Sequence, residues 1–115
     1  LITPGGEEGL GYWITDELMH SNFTAAATLP KNLKPGNYVL RHEIIALHGA
    51  RQENGAQAYP QCVNIEVGGS GQVAPVGGVA GIALYEATDP GIKFDIYARP
   101  TSYPLPGPAL WTEAE

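Results

Sequence analysis

Several things are scarce in this sequence. Basic residues number 6 against 12 acidic ones, for a net charge of −6 and a pI near 4.9. Nucleic acids and anionic membrane surfaces are recognised by basic patches, so no nucleic acid and no membrane is expected as a partner. No apolar run approaches the roughly 18 residues that cross a bilayer. Cysteine occurs once, at Cys62. A lone cysteine is either a buried thiol acting as a small hydrophobe or half of a bridge whose partner is missing. The chain starts at Leu1, without a Met or a signal peptide. That is expected of a mature product, a fragment or an incompletely read sequence. Helix-friendly runs are few.

Glycine (15) and proline (10) are abundant for 115 residues, which favours short strands joined by turns and long loops. The length allows one small domain. Its central stretch is Pro35-Gly36-Asn37-Tyr38-Val39-Leu40-Arg41-His42-Glu43-Ile44-Ile45-Ala46-Leu47-His48, a turn followed by a run rich in β-branched and aromatic residues. As a strand it places Tyr38, Leu40, His42, Ile44, Ala46 and His48 on one face. Further strands are predicted over 23–29, ended by Pro30, over 63–67 and over 92–97, with a short apolar piece at 82–85. Thr15 is placed to cap one helical turn, with Asp16 and Glu17 in its first turn and Trp13 and Leu18 as anchors. Residues 68–81 form a Gly-rich connection, Thr88-Asp89-Pro90-Gly91 a turn, and four prolines from Pro100 onward an extended tail. The sum is an all-β chain, an antiparallel β-sandwich of immunoglobulin or fibronectin character. It has four or five strands where about seven are needed. Open sheet edges would remain unless another segment covers them, so the sandwich reads as incomplete.

The residues that carry chemistry are few. On one strand His42 and His48 stand about 20 Å apart, at about 3.3 Å per residue, and cannot share a metal. His42-Glu43 followed by His48 also fails the zinc-protease pattern, which needs two His at i and i+4 on a helix. His42 reads as a structural histidine, and Arg41 and Glu43, on the other face, as a polar network. Glu43 and Glu66 are carboxylates without the converging geometry that glycoside hydrolysis demands. Tyr59 precedes Pro60 and is therefore extended. Asn22-Phe23-Thr24 is an N-glycosylation sequon.

The run GNYVLRHEIIALHGA, the polar loop after it and GAQAYPQC resemble the central signature of the fungal lytic polysaccharide monooxygenases of auxiliary activity family nine (formerly glycoside hydrolase family sixty-one). Thr101-Ser102-Tyr103-Pro104-Leu105-Pro106-Gly107-Pro108-Ala109-Leu110-Trp111 resembles the end of the same catalytic domain. The resemblance runs from about Gly11 to Trp111 and corresponds to the C-terminal half of that domain. It implies that residues 1–115 lack an N-terminal half. It also implies a secreted, extracellular enzyme that oxidatively cleaves cellulose or a related β-glucan with copper and an external electron donor.

Residue by residue, the resemblance places Tyr59 at the axial copper position and His48 and Gln57 as hydrogen-bonding groups around the oxygen species. It gives Tyr103 a place on the sugar-stacking surface, and Cys62 a disulfide partner in the missing half. The family's copper is held by a histidine brace that includes an N-terminal His, and Leu1 is not His. His20 lies in no matching motif. The alternative is a shortened, non-catalytic sandwich that binds polysaccharide or has a structural role.

Overall fold

The computed structural model describes residues 2–5 and 10–114. Its elements are α1 (Ile14–His20), β1 (Gly36–Ala46) and β2 (Gln57–Val67), with short 3-10 turns at Gly81–Ala83 and Ile96–Ala98. β1 and β2 pair as a two-stranded antiparallel sheet. Strand dominates helix, as the composition predicted. The chain divides into two compact units. The first is drawn from Leu1–Ala27, Ala46–Gln57 and Tyr85–Pro106, the second from Thr28–Ile45, Ala58–Leu84 and Gly107–Glu115.

In the first unit the segment before α1 is tied back by a bridge between Thr3 and Tyr12. The helix starts two residues earlier than predicted and runs for two turns. Its N-cap is Trp13 rather than Thr15, because the Asp16 carboxylate accepts from the Trp13 backbone N–H at 2.7 Å. Asp16 and Glu17 then sit where the helix dipole favours negative charge. Trp13 is an anchor as expected, its indole N–H donating to the Leu10 carbonyl at 2.8 Å.

The segment 23–29 forms no strand. Phe23 has φ +58 and closes the end of α1, which uses up the first residue of the alternation. The segment 92–97 is not a strand either. The Asp89 carbonyl accepts from the N–H groups of both Ile92 and Lys93, and the Asp95 carboxylate accepts from Tyr97 N–H, so local bonds hold it as turns. One backbone bond, Phe94 N–H to the Ala50 carbonyl at 2.9 Å, fixes its middle.

The second unit is organised by the strand pair and by Asn32. Its backbone N–H donates to the Ala114 carbonyl, its carbonyl accepts from Val73, and its side-chain oxygen accepts from Gln72. Leu33 and Val73 form a parallel bridge, and Gly71 lies so close to the Leu33 carbonyl that no Cβ fits there. The apolar piece at 82–85 is a 3-10 turn with Ile82 fully exposed, not a strand. β2 begins at Gln57, well before the predicted start at Val63, and carries Pro60 within it. A two-stranded sheet leaves each strand with an open edge, where proline is tolerated. On β1, Arg41 and Glu43 form a bidentate ion pair, with the Glu43 side chain 6% exposed.

Little is buried. Among the described residues the buried apolar side chains are Leu47 and Ala50 in the first unit and Leu33 and Ala114 in the second. Val39, Leu40 and Val63 on the paired strands are 41–61% exposed.

Candidate functional site

β1 ends at Ala46, so His48 lies past the strand, in the turn after it, and does not share a strand face with His42. The loop between the strands folds on itself through bonds from Ala50 to Leu47, Gln52 to Gly49 and Gly55 to Gln52. Gly49 and Gly55 touch backbone to backbone; a Cβ on Gly55 would fall inside the Gly49 carbonyl and 2.9 Å from the Gln52 oxygen. Both glycines are therefore required by close approach. This pinch sets His48 and Gln57 at the two feet of one loop, both exposed. Tyr59 stands two residues along β2 from Gln57, 54% exposed, and strand alternation gives those two residues the same face. Cys62 lies farther along β2 as an exposed free thiol rather than a buried one.

Tyr103 is placed differently. It is half-buried, and its ring meets Phe94 edge-on at 5.0 Å and Trp13 at 5.5 Å, while Trp13 and Phe94 meet at 6.4 Å. Its hydroxyl donates to the Gly91 carbonyl at 2.6 Å. Gly91 is buried, and its Cα faces the backbone of Pro104 and Pro106 too closely for any side chain. Burial, and secondarily the neighbouring Tyr85, pushes the Tyr103 phenol above its ordinary 10.0. Sequence reading found Tyr103 but not the Trp13–Phe94 frame around it, since no local spacing joins positions 13, 94 and 103.

A second polar group went unread. Tyr12 donates to Glu17 at 2.9 Å and lies 3.1 Å from His20 Nδ1, which also contacts the Asp16 carbonyl at 2.8 Å. The carboxylate beside it raises the Tyr12 phenol, with desolvation adding to the effect. Glu17 and His20 at i and i+3 on a helix were the available signal. Asn22 is exposed at the end of α1.

Among the described residues, no three His, Cys, Asp or Glu side chains converge in a group able to hold a metal ion. This chain alone does not fit copper: Tyr59 offers a phenol, and the two exposed loop-foot groups are one imidazole and one carboxamide. Among the described residues no helix is long and apolar enough to cross a membrane.

The similarities to known proteins converge. The family description Auxiliary Activity family 9 (formerly GH61) matches residues 2–103. AA9 family lytic polysaccharide monooxygenase F of Emericella nidulans is 61% identical over 100 residues, 87% of this chain and 40% of that protein. AA9 family lytic polysaccharide monooxygenase B of Aspergillus fumigatus is 56% identical over 107 residues, 92% of this chain and 42% of that protein. The extended catalytic domain of Hypocrea jecorina LPMO9A superposes with a TM-score of 0.90 at 51% identity, covering all of this chain and 45% of that one. Cel61B of Hypocrea jecorina superposes at 0.84 with 47% identity, covering 94% of this chain and 47% of that one. The chain thus spans less than half the length of each of these relatives, and the fold it shares with them is the β-sandwich. It belongs to Auxiliary Activity family 9.

Proposed function

We propose that the intact protein is a secreted fungal lytic polysaccharide monooxygenase that cleaves cellulose or a related β-glucan oxidatively, drawing electrons from an external donor. The observation that carries this reading is the pinched loop between β1 and β2. It presents His48 and Gln57 together at its feet, with Tyr59 next on the same strand face, in a chain 61% identical to a lytic polysaccharide monooxygenase. Residues 1–115 are read as the C-terminal half of one β-sandwich domain. The scant core and the exposed Val39, Leu40 and Val63 support that: these are strand side chains prepared for burial. Cys62, exposed on the same sheet, then pairs with a cysteine outside this chain.

Copper supplies the oxidising chemistry in this family, and its histidine ligands come from outside the 115 residues. This chain contributes the rest. Tyr59 would lie beside the ion in the intact protein, too weak a ligand to hold it unaided. The His48 imidazole holds or gives up a proton toward the oxygen co-substrate, and the Gln57 carboxamide offers both a donor and an acceptor there. Tyr103 supplies apolar ring surface next to the glycan.

The test is release of oxidised oligosaccharides from cellulose by the intact protein, with and without reductant. His48→Ala and Gln57→Ala should each lower the rate about 10- to 100-fold, the usual cost of removing groups that orient a metal site. Undiminished activity in both variants would remove these residues from the reaction. Absence of any reductant-dependent product would leave a non-catalytic polysaccharide-binding module.

A further inference from the structure

The loop between β1 and β2 carries a peptide bond that can rearrange without an enzyme. Among Asn22, Asn32, Asn37, Asn54 and Asn64, only Asn54 precedes a glycine. A main-chain nitrogen reaches the side chain of the asparagine before it most easily when its own residue has no Cβ to obstruct the approach. Asn54 is exposed and takes a left-handed conformation, at φ +61, which asparagine tolerates better than most residues. The nucleophile is held more closely. Gly55 is partly buried, its N–H donates to the Gln52 carbonyl at 3.0 Å, and its backbone lies against the Gly49 carbonyl. To react, the Gly55 nitrogen must give up the proton that Gln52 engages and turn toward the Asn54 side chain. The closed pinch prevents both.

We propose that Asn54–Gly55 is a deamidation site guarded by the pinch, so that the loop is chemically durable only while it stays folded. In the reaction the Gly55 nitrogen loses its proton to hydroxide and bonds to Asn54 Cγ. The bond from Cγ to Nδ2 breaks, and the nitrogen leaves with the electron pair, taking a proton from water to depart as ammonia. Water then opens the cyclic imide at either carbonyl. One opening yields aspartate at position 54; the other yields an isoaspartyl link, in which the main chain runs through the former side chain. Either product adds a negative charge beside Glu53. The isoaspartyl link also lengthens the backbone by a methylene next to Gly55, where the Gly49 carbonyl leaves no room even for a Cβ. The pinch then cannot close again, and His48 and Gln57 lose their common support. That last consequence rests on the function proposed above; the chemistry at Asn54 does not.

The test incubates the intact protein at mildly alkaline pH and follows the tryptic peptide running from Gln52 to Lys93 by mass spectrometry. An isoaspartate methyltransferase labels the isoaspartyl product. In urea-unfolded protein Asn54 should convert well ahead of Asn64, which precedes an isoleucine in the same peptide. An Asn54 amide that lasts as long as that of Asn64 overturns the site. In folded protein conversion should be slow. Gly49→Ala keeps the Asn54–Gly55 pair but sets a methyl group 2.9 Å from the Gly55 carbonyl oxygen, which loosens the pinch. It should convert about 5- to 150-fold faster than folded wild type, the shift in open population that overpacking of this kind brings. Should that variant not fold, wild type in urea below its unfolding transition replaces it, and its conversion should rise in step with hydrogen exchange of the Gly55 N–H. Folded wild type that converts as fast as unfolded protein overturns the guarding by the pinch. Release of oxidised oligosaccharides should fall in step with isoaspartate content. Full activity in converted protein overturns the consequence for His48 and Gln57, whereas no oxidised product even before conversion overturns the proposed function alone.

Discussion

Tyr103 offers the sharpest test, because its packing and its proposed contact with glycan make opposite demands. Tyr103→Phe keeps the ring and removes the 2.6 Å bond to the Gly91 carbonyl, whose residue is buried. Leaving a buried acceptor without its donor costs about 1–3 kcal/mol. Half-burial of the tyrosine argues for the lower part of that range. Tyr103→Ala also removes the edge-on contacts with Phe94 and Trp13, each worth about 0.5–1.5 kcal/mol beyond area. With the cavity it leaves, the total approaches the roughly 3–5 kcal/mol of a large aromatic truncation.

In a domain of about 150–250 residues each kcal/mol moves the melting temperature by about 2–4 °C. Thermal melts of the intact protein should then show drops of about 2–6 °C for the Phe variant and at least about 6 °C for the Ala variant. Alkaline pH supplies an independent check. The folded phenol titrates above 10.0 because burial disfavours its anion. Its contribution is therefore complete below pH 10 and is lost as pH rises through the raised value. The gap between wild type and Tyr103→Phe should narrow above pH 10. A Tyr103→Ala protein that melts like wild type while losing cellulose binding would refute the packing argument.

Three further outcomes rest on the geometry. Arg41→Ala strips the Glu43 carboxylate of its bidentate guanidinium fork, and denaturant titration should show a loss of about 1–3 kcal/mol. Gly55→Ala drives a methyl group into the Gly49 carbonyl, so the loop must open. Oxidised-product assays should show activity falling about 10-fold or more, alongside a stability loss of about 1–3 kcal/mol. Tyr59→Phe should weaken copper binding by the intact protein, as read by calorimetry. Stoichiometric copper binding by the 115 residues alone, unchanged in Tyr59→Phe, would overturn the axial assignment.

The parts of the fold that local chemistry decides were legible in the sequence. The Pro35-Gly36 turn and the β-branched run behind it gave β1 nearly to its ends. Trp13 was identified as an anchor from its position before the acidic first turn. The misses share a cause. The strand was read only from Val63, past Pro60, yet a two-stranded sheet has open edges that accept a proline, and β2 begins at Gln57. Alternation at 92–97 promised a strand, but Asp89 and Asp95 captured the backbone locally. Phe23 looked like the first rung of a strand and was spent on ending α1. Of the site, His48, Gln57 and Tyr59 were reached through family resemblance rather than spacing. What placed the first two at one loop, the pinch between Gly49 and Gly55, depends on a backbone contact that no pattern of side chains announces.

Asn32 bears on when the second unit can form, not only on what holds it. Its backbone and side-chain bonds reach to Gln72, Val73 and Ala114, so the last of them cannot close until almost the whole length of the chain is present. Contacts so distant in sequence delay folding, since the entropy of closing the loops is spent before the bonds repay it. On a ribosome, the strand pair can form while residues 68–114 are still emerging. Asn32 must wait for the proline-rich tail. A ribosome stalled before Gln72 would thus hold a paired hairpin with its anchor untied, and one stalled short of Ala114 would hold it still lacking its last bond, states in which this chain is more open to proteases and to wrong partners.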